Sequence, residues 1–94
     1  MLLKNKVVII SGIGPGLGVK LAIEAASAGA HVAIAARSAS SLEDAERRMK
    51  EVAPDCQILK QPTDITDRGQ CQRLVTATEA RFGRIDGLVN SAFY

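Results

Sequence analysis

Tryptophan is absent from this 94-residue sequence, and aromatic residues make up only 3% of it, as Phe82, Phe93 and Tyr94. With so few rings to fill space, a core has to be built from Val, Ile, Leu and Ala. Histidine occurs once, at His31, and the two cysteines, Cys56 and Cys71, form no CxxC pair. No zinc set can be assembled from local motifs, and reduced thiols in a cytosolic protein are the expected state. Neither sign of charge dominates: 12 basic and 10 acidic residues leave a net charge of +2, and Arg47-Arg48 is the sole adjacent basic pair. That balance speaks against a nucleic-acid stripe or a membrane-binding patch. Apolar runs are short, none reaching membrane-spanning length, and the opening Met-Leu-Leu-Lys-Asn-Lys lacks the apolar stretch of a signal peptide. A soluble, cytoplasmic chain is expected, forming a single domain over residues 1–94 with a modest core that buries about 60–65% of its unfolded surface.

What is present is an alternation of two periodicities. Val7–Ile10 is a continuous apolar run, the mark of a strand buried on both faces. Leu17 to Ala28 follows at helical spacing, with Leu17, Leu21 and Ala25 on one stripe, Ala22 and Ala26 beside it, and Gly29 as a stop. His31–Ala36 reads as a second buried strand. Ser40 and Glu43 fit a capping box for a second helix, whose apolar face is Leu42, Ala45, Met49 and Val52, and Pro54-Asp55 ends it. Gln57–Gln61 is a more polar strand, as expected near a sheet edge. Thr66 or Asp67 caps a third helix with an inner stripe of Cys71, Leu74, Val75, Thr78 and Phe82, closed by Gly83. Arg84–Asn90 supplies a turn and a fourth strand.

The order βαβαβαβ with short connections predicts parallel pairing. The fold class is α/β: a Rossmann-like doubly wound parallel sheet, truncated, with strands in the order 3-2-1-4. Its ligand crevice belongs at the carboxyl ends of strands 1 and 4, where the winding reverses.

Between the first strand and first helix lies Ser11-Gly-Ile-Gly-Pro-Gly-Leu-Gly18. A glycine-rich turn leading into a helix is a seat for phosphate, because backbone can approach the anion and the free N–H groups of the helix start attract it. The segment does not fit GxxxxGK[ST]: Val19 stands where the glycine before Lys20 belongs, and Leu21 replaces the hydroxyl. Strict GxGxxG fails too, since Leu17 falls on its last glycine. The spacing that fits is GxxxGxG, through Gly12, Gly16 and Gly18, with the hydroxyl residue Ser11 before it. Gly12 permits the tight turn, Gly16 lets backbone near a pyrophosphate, and Gly18 allows close helix–strand packing. Pro15 suits a helix entry.

That spacing resembles the short-chain dehydrogenase/reductase family, whose first strand is followed by TGxxxGxG. Three more landmarks fall in register: Arg37 after the second strand, Asp64-Ile65 after the third, like the family's Asp-Val pair, and Asn90-Ser91-Ala92 after the fourth, like Asn-Asn-Ala-Gly. The resemblance implies a dinucleotide cofactor. Cofactor choice is read at the end of strand 2, where an acidic residue would bind a 2′-hydroxyl. Ala36 removes the repulsion such a residue exerts on a 2′-phosphate, Arg37 can pair with that phosphate, and Ser38 adds a hydrogen bond. NADP(H) is favoured over NAD(H). By the resemblance, Asp64 accepts from the adenine amino group and the Ile65 N–H meets a ring nitrogen; by the residues alone, Asp64 equally serves as a cap of helix 3. Asn90 braces neighbouring strands and sits near the adenosine ribose, with Ala92 following, and the Leu17 backbone lines the nicotinamide side. Ser91 and Phe93 depart from the family pattern.

Other residues carry blander readings. Tyr94 is not the catalytic tyrosine of the family's Tyr-x-x-x-Lys; His31 is a surface residue at the start of a strand, Asp86 a turn residue, and Cys71 a core thiol. The Ser/Tyr/Lys set that the resemblance implies for carbonyl reduction is not among these residues. Two function classes stay open: the NADP(H)-binding half of an oxidoreductase, or a non-catalytic dinucleotide-binding module or degenerate fragment. An open edge at Leu88-Val89 predicts self-association or the remainder of a longer chain as partner.

Overall fold

The computed structural model describes residues 2–13 and 17–91 of the chain. Four strands alternate with three helices: β1 (Val7–Ser11), α1 (Leu17–Ser27), β2 (His31–Ala36), α2 (Ala39–Val52), β3 (Ile58–Pro62), α3 (Arg68–Phe82) and β4 (Gly87–Asn90). The strands form one sheet in the order β3-β2-β1-β4, every pair parallel. This is the Rossmann-like arrangement that the alternation predicts.

Side chains of successive strand residues point to opposite faces, and the core divides accordingly. On one face Ile10, Val32, Ile34 and Ile58 pack with Val19, Ala22, Ala25 and Ala26 of α1 and Leu42, Ala45 and Met49 of α2. On the other, Ile9, Ala33 and Ala35 meet Leu74 of α3, with Leu59 and Ile85 at the margin. The first face carries most of the core. Ile10, Ile34, Leu42 and Met49 are fully buried there, each contributing about 1.5–3 kcal/mol. The alanines of α1 let that helix lie close on the sheet.

Three local expectations need correcting. The cap of α2 is Ser38, not Ser40: Ser38 is extended, and its Oγ accepts the Ser41 N–H at 3.4 Å. Ser40 already lies inside the helix, its hydroxyl 2.8 Å from that of Ser38. Glu43 does not fold back to the helix start, because the Lys60 ammonium on β3 draws it away, at 2.7 Å. Val52 leaves the apolar face at the last turn and is 52% exposed. The inner stripe of α3 is also narrower than its sequence implies. Leu74 and Thr78 are buried, Cys71 and Phe82 are half-buried, and Val75 is 37% exposed. Thr78 tolerates full burial because its hydroxyl donates to the Leu74 carbonyl one turn back, at 2.7 Å. Asp67 is the cap of α3, accepting from the Gln70 N–H at 3.1 Å, and Gly83 ends the helix in the left-handed region at φ 79°.

At the amino ends of the strands, His31 is half-buried, stacks on Phe82 at 6.0 Å, and accepts the Gln57 N–H on Nδ1. Asp86 is more than a turn residue. Its Oδ2 accepts the Val7 N–H at 2.8 Å and its Oδ1 the Arg84 guanidinium at 2.6 Å, which ties the lead into β4 to the start of β1. Arg84, followed by that N–H, holds the Asp86 carboxyl below its ordinary value. Both thiols are free; burial pushes that of Cys56 up, partly offset by Lys50.

Candidate functional site

The carboxyl ends of β1, β2, β3 and β4 lie side by side, as parallel pairing requires. Around them gather the described residues of the candidate site.

At the end of β1 the chain turns sharply. Gly12 adopts φ 83°, a region that strains any residue with a Cβ. Its N–H and that of Ile13 both donate to the Ala35 carbonyl, at 2.9 and 3.1 Å. The turn is thus fastened to β2 before α1 begins. Gly14, Pro15 and Gly16 lie outside the described residues, so the expected approach of Gly16 to a pyrophosphate falls there. Leu17 opens α1. The first turn of that helix carries no acidic side chain, and the positive end of a helix dipole favours an anion.

Gly18 sits one residue into α1 and is buried. A Cβ there would come within 2.5 Å of the Gly12 carbonyl oxygen and 2.9 Å of the Ser91 hydroxyl. The helix can therefore lie against the turn and against the end of β4 only because position 18 has no side chain.

The end of β4 is joined to β1 by side chains as well as backbone. Ser11 Oγ donates to Asn90 Oδ1 at 3.1 Å. Ser91 shares its one hydroxyl proton between the Ser11 carbonyl at 2.9 Å and that of Gly12 at 3.3 Å. Sequence reasoning marked Ser91 only as a departure; the structure makes it a clamp over the glycine turn. Ala92, Phe93 and Tyr94 lie outside the described residues.

The second half of the site lies across β2 and β3. Thr63 N–H donates to the Ala36 carbonyl at 2.8 Å, which keeps the two strand ends together. Arg37 follows, with its side chain 64% exposed, and its Nη2 donates to Asp64 Oδ1 at 3.3 Å. Asp64 is not the cap of α3. The same Oδ1 accepts the Thr66 N–H at 2.9 Å and the Thr66 hydroxyl at 2.6 Å, an Asx turn. Those Thr66 bonds, and then Arg37, hold its carboxyl below the ordinary value. Asp64 N–H in turn donates to Gln70 Oε1 at 2.7 Å. Ile65 is half-buried in the same turn, and its carbonyl accepts from the Cys71 thiol at 3.4 Å. Ser38 Oγ accepts the Ser41 N–H as the cap of α2. Thr66 was legible in the pattern Asp-x-Thr, whereas nothing local announces Gln70.

Arg37, Pro62, Thr63, Asp64 and Gln70 line an open depression of about 240 Å³. A larger groove of about 770 Å³ runs between α1 and β4, lined by Val8, Ile10, Leu21, Ala25 and Val89 among others. Its walls are mainly apolar, with Lys6, Glu24 and Asp86 also among the lining residues. Among the described residues, no three His, Cys, Asp or Glu side chains converge as a metal site, and no helix is long and apolar enough to cross a membrane.

The glycine turn, the bare helix start and the arginine beyond β2 fit a dinucleotide laid across the strand ends. Residues 6–93 match the family model described as short chain dehydrogenase. Levodione reductase of Leifsonia aquatica is 41% identical over 88 residues, which are 94% of this chain and 33% of that protein. Its crystal structure superposes with a TM-score of 0.89 at 40% identity, covering 92% of this chain and 33% of its own. NAD+-bound xylitol dehydrogenase aligns over 98% of this chain and 35% of its own, with a TM-score of 0.90 at 27% identity. Actinorhodin polyketide ketoreductase with NADPH covers 95% and 33%, with a TM-score of 0.86 at 25% identity. The chain spans about a third of the length of these relatives.

Proposed function

The chain belongs to the short chain dehydrogenase family, and we propose that residues 1–94 act as the NADP(H)-binding part of an oxidoreductase that moves hydride between nicotinamide and a carbonyl or alcohol carbon. The observation that carries the cofactor choice is the end of β2. Ala36 occupies the position where an acidic side chain would bind a ribose 2′-hydroxyl, and the Arg37 guanidinium stands next to it, beside the depression at the end of β3. The same fold carries NAD+ in one relative and NADPH in another, so the choice rests on these side chains and not on the architecture.

In this reading Gly12, Gly16 and Gly18, with Ser11 and the Leu17 backbone, seat the pyrophosphate and the nicotinamide side. Arg37 and Ser38 take the 2′-phosphate, Asp64 and Ile65 the adenine, and Asn90 and Ala92 border the ribose. The nicotinamide supplies the hydride chemistry; the protein supplies position and electrostatics. The serine, tyrosine and lysine that act on the carbonyl in full-length relatives belong to the length this chain does not span. Two free thiols fit a cytoplasmic setting.

Calorimetry with NADPH and NADH tests the assignment. The chain should bind NADPH more tightly, and Arg37→Ala should weaken NADPH about ten-fold, the scale of one hydrogen bond to a charged group, while sparing NADH. Equal affinities for the two, untouched by that substitution, would overturn it.

A further inference from the structure

The residue proposed to select the 2′-phosphate already has an anionic partner. Arg37 Nη2 lies 3.3 Å from Asp64 Oδ1, bridging the ends of β2 and β3. The pair is exposed, at 64% for the arginine and 36% for the aspartate, so the guanidinium can be reached by a second anion. The aspartate cannot readily give way. Its Oδ1 is held by the Thr66 N–H and hydroxyl, and its backbone N–H by Gln70. The nearest basic residue on β3, Lys60, is committed to Glu43 and Glu46 on α2, at 2.7 and 3.0 Å. Among the described residues that line the depression there, Arg37 is the one cation.

We infer, on the footing of the NADP(H) reading above, that Asp64 is a specificity-determining residue whose carboxylate shares Arg37 with an incoming 2′-phosphate and so holds down the preference for the phosphorylated cofactor. Two effects of the carboxylate oppose each other. It orders the guanidinium, which favours phosphate binding, and it places a fixed negative charge beside the phosphate, which disfavours it. At an exposed site ordering one arginine gains little, because such pairs are weak. The anchored charge, by contrast, remains when the phosphate arrives, and like charges at one cation repel. Repulsion wins, and the aspartate lowers the discrimination that Arg37 alone would give. The neutral, nearly isosteric Asn keeps an oxygen to accept from Thr66 and from an adenine amino group, so the substitution isolates the charge.

The test is calorimetric titration of the chain and of Asp64→Asn with adenosine 2′,5′-bisphosphate and with adenosine 5′-monophosphate. The ratio of the two affinities is the readout. Asp64→Asn should raise the ratio in favour of the bisphosphate by about two- to five-fold, the scale of one exposed charge pair. Asp64→Glu, which keeps the charge, should not raise it. A ratio that stays level or falls in Asp64→Asn overturns the role of Asp64 while leaving the NADP(H) reading in place. If the unaltered chain binds neither nucleotide, or both equally, the NADP(H) reading fails and takes this role with it. Should Asp64→Asn not fold, NMR of the Arg37 guanidinium in the unaltered chain decides. Its resonances should shift with the bisphosphate and not with the monophosphate, and an unmoved guanidinium overturns the sharing.

Discussion

The Ser91 hydroxyl donates to the Ser11 carbonyl across 80 positions of sequence, at 2.9 Å, and its second acceptor is the carbonyl of Gly12. The end of β4 thus locks the turn that leads into α1. Gly18 lies beneath this lock, with room for no side chain.

Gly18→Ala should therefore cost stability on the scale of overpacking, about 1–3 kcal/mol. The closest clash is with backbone, the Gly12 carbonyl oxygen at 2.5 Å, which cannot rotate away. Gly87→Ala is the control: no atom lies within 4 Å of its Cβ position, and the change should stay within about 0.5 kcal/mol. Thermal denaturation of the two variants checks the contrast, and equal melting temperatures would contradict it.

Met49 and Val52 sit three positions apart on α2, but only Met49 is buried, at 0% exposure against 52%. Met49→Ala should lose about 2–5 kcal/mol, whereas Val52→Ala should be close to neutral. Urea unfolding of both would show whether the last turn of α2 belongs to the core.

Asp86 and Asp64 both have carboxyls held below their ordinary value, by Arg84 and the Val7 N–H in one case and by Thr66 and Arg37 in the other. A carboxyl depressed in the folded state adds stability above its unfolded pKa of about 4, and that stability is lost as pH falls through the lower folded value. Melting temperature should drop on acidification below about pH 4. Asp86→Asn should be less stable at neutral pH and show a shallower acid decline. Parallel acid curves for the variant and the unaltered chain would remove Asp86 from the account.

Leu88 is 67% exposed on β4, and among the described residues β4 pairs with β1 alone. An apolar edge of this kind invites another strand. The chain should self-associate with rising concentration in sedimentation experiments, and Leu88→Lys should shift it toward the monomer. A chain that sediments as a monomer at all concentrations would argue against an adhesive edge.

Much of the fold was legible because its signals are local. Val7–Ile10 and Val32–Ala36 are apolar on every position, so they had to be strands buried on both faces. Gly29 and Gly83 marked helix ends through backbone freedom alone. The start of α2 departs from its local pattern for the opposite reason. Ser40 and Glu43 make a valid capping pair by spacing, but Lys60, 17 positions away, claims the carboxylate. The buried stripe on α3 is narrower than its pattern because helical spacing shows which residues share a face, not how much sheet lies beneath it.

The site divides along the same line. Sequence by itself determined the residue types at each strand end: glycines where backbone must come close, an arginine and no acid after β2, an aspartate after β3. These are properties of single residues and short spacings, written in the chain before it folds. Tertiary structure alone decided the pairings. Ser91 reaches the glycine turn because β4 inserts beside β1, and Arg37 meets Asp64 because β3 lies against β2. Contacts across 27 and 80 positions depend on strand order and register, which arise from burying two faces of one sheet and leave no mark in the neighbourhood of either partner.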